Sequence, residues 1–518
     1  MTCPLRELIK ALPSPVFLAP ATDEARRRAL NTPVRDICYD SRTAGAGSLF
    51  FCLRGAKSDG HAFAPAAYRQ GTRVFVGEEP LRLPPDAVVI RVADSRAALA
   101  DGAAAFFGYP ARQMRIVGIT GTKGKTTTAW LTAHILNRCG IRTGYIGTNG
   151  ADFAATHLST VNSTPESAEL QRILRRMYDA GVRTCVMEVS SQGLWMGRVR
   201  GIPFHACLYT NLSPDHIGGS EHPDYAHYRA CKKSLFTDYP VGLALCNADD
   251  PEAAFMMDGV SAPVRYFSVL REQMAPDGSL PVWRATDIRP SRSDGKPGMT
   301  FHIASPDGLP ACFLPMPGVF NVSNALGAVA LCREGFGIRV PQAAEALADA
   351  AVPGRFEIIT HPAQPSVTYI IDYAHNGLSL AAILDTLRAY RPARLICLFG
   401  SVGERTVGRR AELAQAAAGR ADFCILTSDN PGREPPEDVI RDIDTAFPAG
   451  ACPRLCLPDR ADAIRQAVAM ARPGDMILLA GKGHESYQLI GTSRIPFREK
   501  DILISALDAY SPADLPIP

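Results

Sequence analysis

Residues 114–136, MRIVGITGTKGKTTTAWLTAHIL, constrain the fold of this chain most, because they predict a strand, a glycine-containing loop and a helix in direct succession. The apolar run 116–119 is typical of a buried strand, and the helical pattern after the loop ends at Gly140. In such an arrangement backbone N–H groups and the helix N-terminus face an anion, a lysine reaches the outer phosphates and a threonine can hold Mg²⁺. The predicted triphosphate-binding residues are Gly121, Thr122, Lys123, Gly124, Lys125, Thr126 and Thr127.

The glycine spacing of this loop departs from the usual P-loop pattern. That pattern has a glycine five residues before the glycine of GKT, and this chain has Ile119 there. Its glycines, Gly118, Gly121 and Gly124, follow the pattern GxxGxxGKT instead. The spacing indicates a particular branch of the P-loop proteins.

Length and composition narrow the class of protein. The chain has 518 residues, which is too long for one ordinary core and predicts three domains. With 46% hydrophobic and 21% charged residues, it has the composition of a globular protein. Its net charge of +3 gives no electrostatic argument for nucleic acid, and no apolar run approaches the ~18 residues of a membrane span. We therefore expect neither nucleic-acid binding nor membrane insertion.

Cysteine usage indicates the compartment. The 14 cysteines are scattered without a CxxC pair, and many lie in apolar, strand-like runs. Buried thiols that act as small hydrophobic side chains in a reducing compartment explain this usage best. Residues 1–15 contain Arg6, Glu7, Lys10 and two prolines, which is unlike a signal peptide. These features predict a cytoplasmic protein.

Alternating strand and helix patterns predict an α/β fold with parallel, doubly wound sheets. Breaks near Pro110 and at Pro353 divide the chain into the expected domains 1–110, 111–352 and 353–518. A polar stretch at about 272–300 predicts a surface excursion of the second domain. The strands expected in the second and third domains are 116–120, 144–147, 184–189, 206–211, 242–247, 368–372, 395–399, 423–427 and 476–479.

Polar residues follow two predicted strands of the second domain. Glu188 and Ser190 end one strand, and Asp215 and His216 follow the next. Open α/β sheets bind ligands at the carboxyl ends of their strands. A carboxylate and an imidazole beside the phosphate loop therefore predict Mg²⁺ coordination and positioning of the γ-phosphate.

Other polar motifs are less specific when taken alone. Lys232 and Lys233 lie in a helical pattern, which on its own predicts a solvated face. The sequence Asp40-Ser41-Arg42 fits a turn at least as well as a binding site. Four strand-end loops of the third domain predict a second substrate cleft. They contain IIDYAH, FGSVGERTVGRR, LTSDNPGREPP and LLAGKGHESYQ.

Taken in order, the motifs resemble those of the Mur ligases of peptidoglycan synthesis. The resemblance covers about residues 40–499, and the N-terminal DSR…G.LFF…DG.AF pattern resembles the MurE type, the UDP-N-acetylmuramoyl-tripeptide synthetases. It rests on GITGTKGKTTT, EVSSQGL, TNLSPDH, ACKKSLF, NADD, FNVSNALGA, VPGRFE, DYAH, GERTVGRR, DNP and GKGHESYQ.

The resemblance implies three domains: a small N-terminal UDP-binding α/β domain, a central P-loop ATPase-like domain, and a C-terminal Rossmann-like domain for the incoming amino acid. It also implies a reaction. ATP phosphorylates the D-Glu carboxylate of UDP-MurNAc-L-Ala-D-Glu, and the amine of a diamino acid attacks the acyl phosphate. Lysine, arginine and metal charges then offset the crowded anions of the transition state. A monomer is expected.

The resemblance also assigns individual residues. Lys125, Lys232 and His216 are implied in catalysis, and Thr126, Glu188, His216 and Lys232, the last as a carbamate, in Mg²⁺ binding. Adenine and ribose contacts are implied for Asn324, Arg355, Asp372 and His375. The UDP-MurNAc-dipeptide would contact Ser41, Ser163, Thr164, Ser190 and Arg198. The amino acid would contact Arg405, Asp429, Asn430, Gly481 and Glu485.

The identity of the diamino acid stays open among diaminopimelate, lysine and ornithine. Diaminopimelate-adding members carry DNPR, whose arginine pairs with the second carboxylate of the substrate, but this chain has Gly432 there and Arg433 one place later. Glu485 is retained and would suit a distal ammonium. The departure slightly favours lysine or ornithine, unless Arg433 turns into the vacated position.

Two other functions fit the phosphate loop. A P-loop switch would use ATP for a conformational change and would give no role to Lys232. A ligase of the same fold, such as another Mur ligase or a folylpolyglutamate synthetase, would act on another substrate, although the N-terminal DSR pattern weighs against it.

Overall fold

The structure is a computed structural model that describes residues 1–55, 58–215, 217–219, 221–270, 272–404 and 407–510. The chain divides into two compact units. Unit 1 consists of Met1–Trp283 and Gly327–Ile338, and unit 2 consists of Arg284–Leu326 and Arg339–Pro518.

The N-terminal part of unit 1 is built around a five-stranded sheet of order β2-β7-β6-β5-β4. Its strands from β4 to β7 pair in parallel, β2 pairs antiparallel with β7, and β1 and β3 form a separate antiparallel pair. The strands are β1 (Cys3–Pro4), β2 (Val16–Ala19), β3 (Pro33–Val34), β4 (Asp36–Cys38), β5 (Ser48–Phe51), β6 (Val74–Gly77) and β7 (Val88–Arg91). The helices are α1 (Leu5–Ile9), α2 (Asp23–Leu30), α3 (Ala64–Arg69) and α4 (Ser95–Phe106), with a 3₁₀ turn at Gly60–Phe63.

The central part of unit 1 is a mixed sheet in which strand order runs β11-β10-β9-β12-β8-β13-β14-β15. Neighbouring strands along β9-β12-β8-β13-β14-β15 are all parallel. Strand β10 is antiparallel to both of its neighbours, β9 and β11. The strands are β8 (Arg115–Thr120), β9 (Thr143–Gly147), β10 (Gly150–Phe153), β11 (Thr156–Leu158), β12 (Thr184–Glu188), β13 (Phe204–Tyr209), β14 (Ala244–Asn247) and β15 (Val264–Ser268).

Helices join these strands and cover the sheet. They are α5 (Lys125–Arg138), α6 (Ser167–Asp179), α7 (Ser191–Trp195), α8 (Tyr225–Thr237) and α9 (Ala253–Met257), with a 3₁₀ turn at Pro110–Gln113. In α6 the buried apolar residues follow helical spacing, as Leu170, Ile173, Leu174 and Met177 show. Burying this face fixes the helix against the sheet core.

The position of β8 decides where a ligand can bind in unit 1. β8 lies between β12 and β13 and runs parallel to both, so the carboxyl ends of all three strands meet at one edge of the sheet. The phosphate loop follows β8, Glu188 ends β12, and Thr210 and Asn211 follow β13. This is the edge at which parallel sheets bind ligands.

Unit 2 contains a six-stranded sheet of order β19-β20-β24-β21-β22-β23, parallel except for β19. Its strands are β19 (Glu357–Ile359), β20 (Thr368–Asp372), β21 (Leu395–Phe399), β22 (Phe423–Leu426), β23 (Arg454–Cys456) and β24 (Met476–Ala480), followed by the antiparallel hairpin β25 (Tyr487–Ile490) and β26 (Ser493–Pro496). Its helices are α11 (Val340–Leu347), α12 (Gly377–Arg388), α13 (Gly408–Ala418), α14 (Pro436–Thr445), α15 (Arg460–Ala469) and α16 (Glu499–Asp508). Helix α10 (Val319–Phe336) contributes residues to both units.

The expected surface excursion at about 272–300 contains two strands from residue 283 onward. β16 (Trp283–Ser293) and β17 (Lys296–Ala304) form a long antiparallel ribbon, and β18 (Ala311–Leu314) pairs with β17. The polar composition arises because several side chains along β16 are exposed. Backbone pairing therefore supplied structure that the side-chain pattern did not indicate.

The α/β class and the nine expected strands are confirmed, each to within two residues at either end. The domain limits 1–110, 111–352 and 353–518 stay predictions. Among the described residues, no helix combines the length and apolar character of a membrane span.

Candidate active site

The phosphate loop has the backbone shape that an anion requires. Gly121 and Gly124 have φ values of +145° and +82°, a region that side chains disfavour. A Cβ atom on Gly121 would lie 1.9 Å from Thr210 Oγ1, so only glycine fits there. Helix α5 begins at Lys125 with Gly124 as its N-cap, and glycine has no side chain to occupy the N–H groups of the first turn. The predicted loop therefore presents a helix N-terminus toward a ligand.

The segment after β13 braces this loop. Thr210 Oγ1 donates to the carbonyl oxygen of Lys123 at 2.7 Å. The Asn211 amide accepts from Lys123 N–H and donates to the Lys123 carbonyl, both at 3.0 Å. Thr122 Oγ1 donates to the Ser213 carbonyl at 3.2 Å. Residues 210–213, TNLS, thus fix the loop that ends in the GKT motif.

Two lysines converge on one carbonyl oxygen of the loop. Lys125 Nζ donates to Gly121 O at 2.9 Å and to Thr122 O at 2.9 Å, and Lys232 Nζ donates to Gly121 O at 2.8 Å. Lys232 is 1% exposed, so the solvated face expected for it from the helical pattern alone is wrong. Burial lowers the pKa of the Lys232 ammonium well below its ordinary value, and the charge of Lys125 lowers it further.

Helix α8 reaches the loop through one face. Tyr228 and Lys232 lie four residues apart and therefore point to the same side. The Tyr228 hydroxyl lies 3.0 Å from Thr122 Oγ1, and Lys232 Nζ lies 4.6 Å from the centre of the Tyr228 ring. Lys233 instead forms an ion pair with Asp258 at 3.0 Å. The two adjacent lysines thus have different environments.

Thr126 and Glu188 are linked through a residue that the sequence did not indicate. Thr126 Oγ1 lies 3.3 Å from Thr148 Oγ1, which donates to Glu188 Oε2 at 3.1 Å. Thr148 N–H and the Tyr145 hydroxyl both donate to Glu188 Oε1, at 2.7 and 2.8 Å. Tyr145 lies within β9 and Thr148 directly follows that strand, and only the strand-end position of Thr148 could have drawn attention to it. His216 lies outside the described residues.

The donor set around Thr126 fits Mg²⁺. Glu188 is 1% exposed, and its carboxylate is held in place by its three donors. Mg²⁺ prefers oxygen ligands and is usually held by one or two carboxylates together with substrate phosphates. A hydroxyl and an oriented carboxylate beside a phosphate loop satisfy this preference.

Three of the residues expected to contact the UDP-linked substrate lie together beside Glu188. Thr164 Oγ1 donates to the Glu188 carbonyl at 3.0 Å and accepts from Ser190 N–H at 2.9 Å. Arg198 donates to the Thr164 carbonyl at 3.1 Å. Within the described part of the chain, buried Arg198 Nε has no hydrogen-bond acceptor, although Glu166 lies 3.6 Å away. This cluster therefore retains donor capacity for an anionic ligand.

The two other residues expected at this substrate are placed differently. Ser163 directly precedes Thr164 and is half-buried. Ser41 lies in the turn that follows β4 of the N-terminal sheet, and it is also half-buried. Its neighbours Asp40 and Arg42 form an exposed ion pair.

In unit 2, the residues expected at adenine and ribose lie around β20. Asp372 ends β20 and accepts from Phe356 N–H at 2.8 Å and from Ala374 N–H at 2.7 Å. Burial raises the pKa of Asp372 and lowers that of His375. The Arg355 guanidinium lies 4.7 Å from the centre of the Tyr373 ring, and among the described residues its buried Nε has no acceptor. Asn324 is buried in α10.

The residues expected at the amino acid form a charged cluster in unit 2. Lys482 Nζ donates to Glu485 Oε2 at 2.8 Å and to Asn430 Oδ1 at 3.1 Å, and it lies 3.4 Å from Asp429 Oδ1. Asn430 Nδ2 also donates to Glu485 Oε2, at 2.9 Å. Lys482 is fully buried and was not singled out from the sequence. Its position inside GKGHE was the available signal.

Gly481 and Gly432 shape the same region. Gly481 has a φ of +112°, and a Cβ there would lie 3.2 Å from Asp429 Oδ2. Gly432 has a φ of +62°, and a Cβ there would lie 2.8 Å from Glu404 Oε2. Arg433 is exposed. Arg405 lies outside the described residues.

Three family models match the chain in succession. They are "Mur ligase family, catalytic domain" over residues 33–107, "Mur ligase middle domain" over 119–332 and "Mur ligase, glutamate ligase domain" over 354–483. The chain belongs to the Mur ligase family. Mur ligases are ATP-dependent amide ligases that use Mg²⁺, so the chain is an enzyme of that class.

Known relatives extend over almost the whole chain. A UDP-N-acetylmuramoyl-L-alanyl-D-glutamate–2,6-diaminopimelate ligase of Geobacillus thermodenitrificans is 36% identical over 489 residues, which is 93% of this chain and 96% of that protein. The ligase of the same name from Chlorobium phaeobacteroides is 39% identical over 497 residues, 94% of this chain and 95% of that protein. A solved structure with that name is 27% identical, with a TM-score of 0.66, and covers 98% of this chain and 99% of its own.

The family matches cover predicted site residues in both units. Gly121 and Gly124 of the phosphate loop lie within the middle-domain match, together with Glu188 and Lys232. Asp372, Asp429 and Gly481 lie within the glutamate ligase domain match. The three-domain α/β architecture expected from the sequence is confirmed, and the roles of individual site residues stay predictions.

Proposed function

We propose that this Mur ligase joins a diamino acid to the D-Glu carboxylate of UDP-MurNAc-L-Ala-D-Glu, with ATP converted to ADP and phosphate. The observation that carries the proposal is the convergence of Lys125 and Lys232 on the loop carbonyl of Gly121, beside the Thr126–Thr148–Glu188 chain. This arrangement places the Lys125 ammonium and several oxygen ligands where a triphosphate would lie. The names of the relatives at 36% and 39% identity support the substrate.

The chemistry proceeds in two steps. An oxygen of the D-Glu carboxylate attacks the γ-phosphorus, the bond to the β-phosphate oxygen breaks, and ADP leaves. The amine of the diamino acid then attacks the acyl carbon, loses a proton, and phosphate departs with the electron pair of the C–O bond. Phosphorylation is needed because a carboxylate is a poor electrophile.

Residues of unit 1 support the first step. Lys125 would exchange its two backbone acceptors for phosphate oxygens, since a charged ligand is a stronger acceptor than a carbonyl. Thr126 and Glu188 would hold Mg²⁺, which offsets the negative charge of the phosphates when bound. Thr164, Ser190 and Arg198 would position the sugar–peptide substrate beside them.

The environment of Lys232 fits a carbamate. A neutral amine adds CO₂ by forming an N–C bond and releasing a proton, and the lowered pKa of Lys232 makes the neutral amine available. The product would give an anionic oxygen pair, a ligand type that suits Mg²⁺. Exposure of the protein to ¹³CO₂, followed by ¹³C NMR, tests this. A carbamate resonance that is absent from Lys232→Ala supports the assignment, and its absence from the wild-type protein excludes it.

We favour diaminopimelate as the amino acid, because the relatives are named for it. The sequence alone slightly favoured lysine or ornithine, because Gly432 stands in place of the arginine of DNPR. The enzyme should be supplied with ATP, UDP-MurNAc-L-Ala-D-Glu and one of the three amino acids, and the tripeptide product measured by mass spectrometry. Highest kcat/KM with diaminopimelate supports the preference. Turnover restricted to lysine or ornithine overturns it but leaves the ligase assignment intact.

The cellular setting follows from this substrate. A nucleotide-linked precursor is made where ATP is available, so we place the enzyme in the cytoplasm, acting in peptidoglycan precursor synthesis and hence in cell-wall growth and division. We propose that it acts as a monomer without nucleic acid or membrane insertion. Sedimentation of the purified protein tests the oligomeric state.

A further inference from the structure

Three nitrogen- and sulfur-bearing side chains meet beside α8 in unit 1. His222 precedes the helix, and His227 and Cys231 lie four residues apart within it. Positions four apart share one face of a helix, so both side chains point toward His222. One donor atom from each of the three residues lies within 4.8 Å of the other two. Neither the phosphate loop nor the proposed reaction uses them.

The distances are close to those around a tetrahedral metal ion. Cys231 Sγ lies 3.7 Å from each ring nitrogen of His227, and Nδ1 of His222 lies 2.8 Å from Nδ1 of His227. With Zn–N bonds of about 2.0–2.1 Å and a Zn–S bond of about 2.3 Å, a tetrahedral ion separates sulfur from nitrogen by about 3.6 Å and two nitrogens by about 3.3 Å. The Cys231–His227 distance is already close to this value, and the two imidazole nitrogens would move apart by about half an ångström.

A supporting hydrogen bond orients His222. Its Nε2 lies 2.9 Å from Ser191 Oγ. In the tautomer in which Nε2 donates to that hydroxyl, Nδ1 carries the lone pair and points toward His227. Metal-binding histidines are commonly oriented in this way by a partner on the second ring nitrogen. His222 is also fully buried, which strengthens any interaction with a cation.

Trp195 covers the cluster from α7. Its ring centre lies 5.4 Å from that of His222 and 4.9 Å from that of His227. The indole packs against both imidazoles and gives the cluster an intrinsic fluorescent reporter. A packed group of hydrogen-bonded rings without an ion is the alternative explanation of the same contacts.

We propose that His222, His227 and Cys231 bind a divalent ion of the zinc class, at a site separate from the magnesium ligands. Two imidazoles and a thiolate are the ligands that zinc prefers, whereas Mg²⁺ selects oxygen. Three protein ligands leave a fourth position for water. The ion ties the segment before α8 to the helix that carries Lys232, and through Ser191 to α7.

Cobalt(II) is the probe, because it reports thiolate ligation by colour. The full chain is freed of metal with a chelator and titrated with Co²⁺ in the presence of excess Mg²⁺. We expect one equivalent to produce visible bands of a tetrahedral ion and a near-ultraviolet thiolate-to-cobalt band, together with a change in tryptophan fluorescence. Zn²⁺ should displace the colour.

Variants assign the ligands. Cys231→Ser should abolish the near-ultraviolet band, and His227→Gln should weaken Co²⁺ binding at least about tenfold. Cys456→Ser and His157→Gln alter an exposed cysteine and a histidine outside the cluster, and both should retain the wild-type spectrum. Circular dichroism confirms that each variant is folded. If wild-type protein gives no thiolate band, or if the band persists in Cys231→Ser, the cluster is a packing feature and the proposal is wrong.

Discussion

The side-chain nitrogen of Lys232 lies 2.8 Å from the carbonyl oxygen of Gly121, so a buried helix lysine is hydrogen-bonded to the loop expected to hold phosphate. Lys125, at the start of α5, donates to the same oxygen at 2.9 Å. Two cations on one carbonyl repel each other, which contributes to the lowered pKa of Lys232. An anionic ligand, or conversion of Lys232 to a carbamate, would relieve this repulsion.

Replacement of Lys232 should therefore remove most activity. We expect Lys232→Ala to lower kcat at least about a hundredfold, since it removes the proposed carbamate ligand of Mg²⁺ beside the reacting phosphate. Small carboxylic acids should partly restore turnover if the lost group is a carbamate. The matched control is Lys233→Ala, which removes the next lysine and its ion pair with Asp258. Equal losses in the two variants, or full activity of Lys232→Ala, would contradict the role.

Glu188 should determine the magnesium requirement. Glu188→Gln removes the negative charge that Tyr145 and Thr148 orient, so we expect a large rise in the Mg²⁺ concentration for half-maximal ADP formation. Tyr145→Phe removes one supporting hydrogen bond and should raise the Mg²⁺ concentration for half-maximal ADP formation by about ten- to hundredfold. This rise should be smaller than that in Glu188→Gln. An unchanged Mg²⁺ dependence in Glu188→Gln would exclude it as a ligand.

Gly432 should influence which amino acid is accepted. Gly432→Arg restores the arginine of the DNPR motif, and we expect it to raise kcat/KM for diaminopimelate relative to lysine and ornithine. The φ of +62° and the nearby Glu404 carboxylate make any side chain there strained. Gly432→Ala introduces the strain without the charge and is the matched control. If both variants change the ratio of kcat/KM for diaminopimelate to kcat/KM for lysine or ornithine equally, the backbone shape, and not the guanidinium, determines the preference.

His484 should make the protein sensitive to acid. Burial, together with the charges of Arg355 and Lys482, lowers its pKa to about 3 from an ordinary value of 6.5. Between these values the unfolded chain binds a proton that the folded protein does not, so folding stability falls as pH falls from 6.5 toward 3. At pH 5 this amounts to up to about 2 kcal/mol.

The variant His484→Gln isolates this effect in thermal unfolding. We expect the melting temperature of the variant to rise relative to wild type between pH 7 and pH 5, because glutamine does not titrate. The control is His157→Gln. His157 lies on the short strand β11 and pairs with Asp152. A constant difference between His484→Gln and wild type over this range would contradict the lowered pKa.

The sequence was sufficient to predict the parallel sheets and the backbone course of the loop expected to bind phosphate. Strands such as β12 and β20 are continuous apolar runs, and a Gly-rich turn followed by GKT has few structural alternatives. The burial of Lys232 could not be predicted from the helical pattern, because its hydrogen-bond partner Gly121 lies 111 residues away in the chain. The same holds for Lys482, whose partners Asn430 and Asp429 lie about fifty residues away.

Polar contacts across strand ends were equally hidden. Tyr145 and Thr148 look unremarkable in the sequence, and their relation to Glu188 depends on β9 and β12 lying side by side. The ribbon of β16 and β17 was not predicted because several side chains of β16 are exposed, and its pairing with β17 is not visible in the local sequence. In each case long-range packing decided the outcome, and local sequence carries little of that information.

Phosphate release measured under defined substrate omission tests the central claim most directly. With ATP and Mg²⁺ present, we expect one phosphate for each tripeptide formed when both UDP-MurNAc-L-Ala-D-Glu and diaminopimelate are supplied. We expect almost no phosphate release when the UDP-linked dipeptide is omitted. Release at the same rate whether or not the two acceptor substrates are present would contradict the ligase account and favour a nucleotide-driven switch.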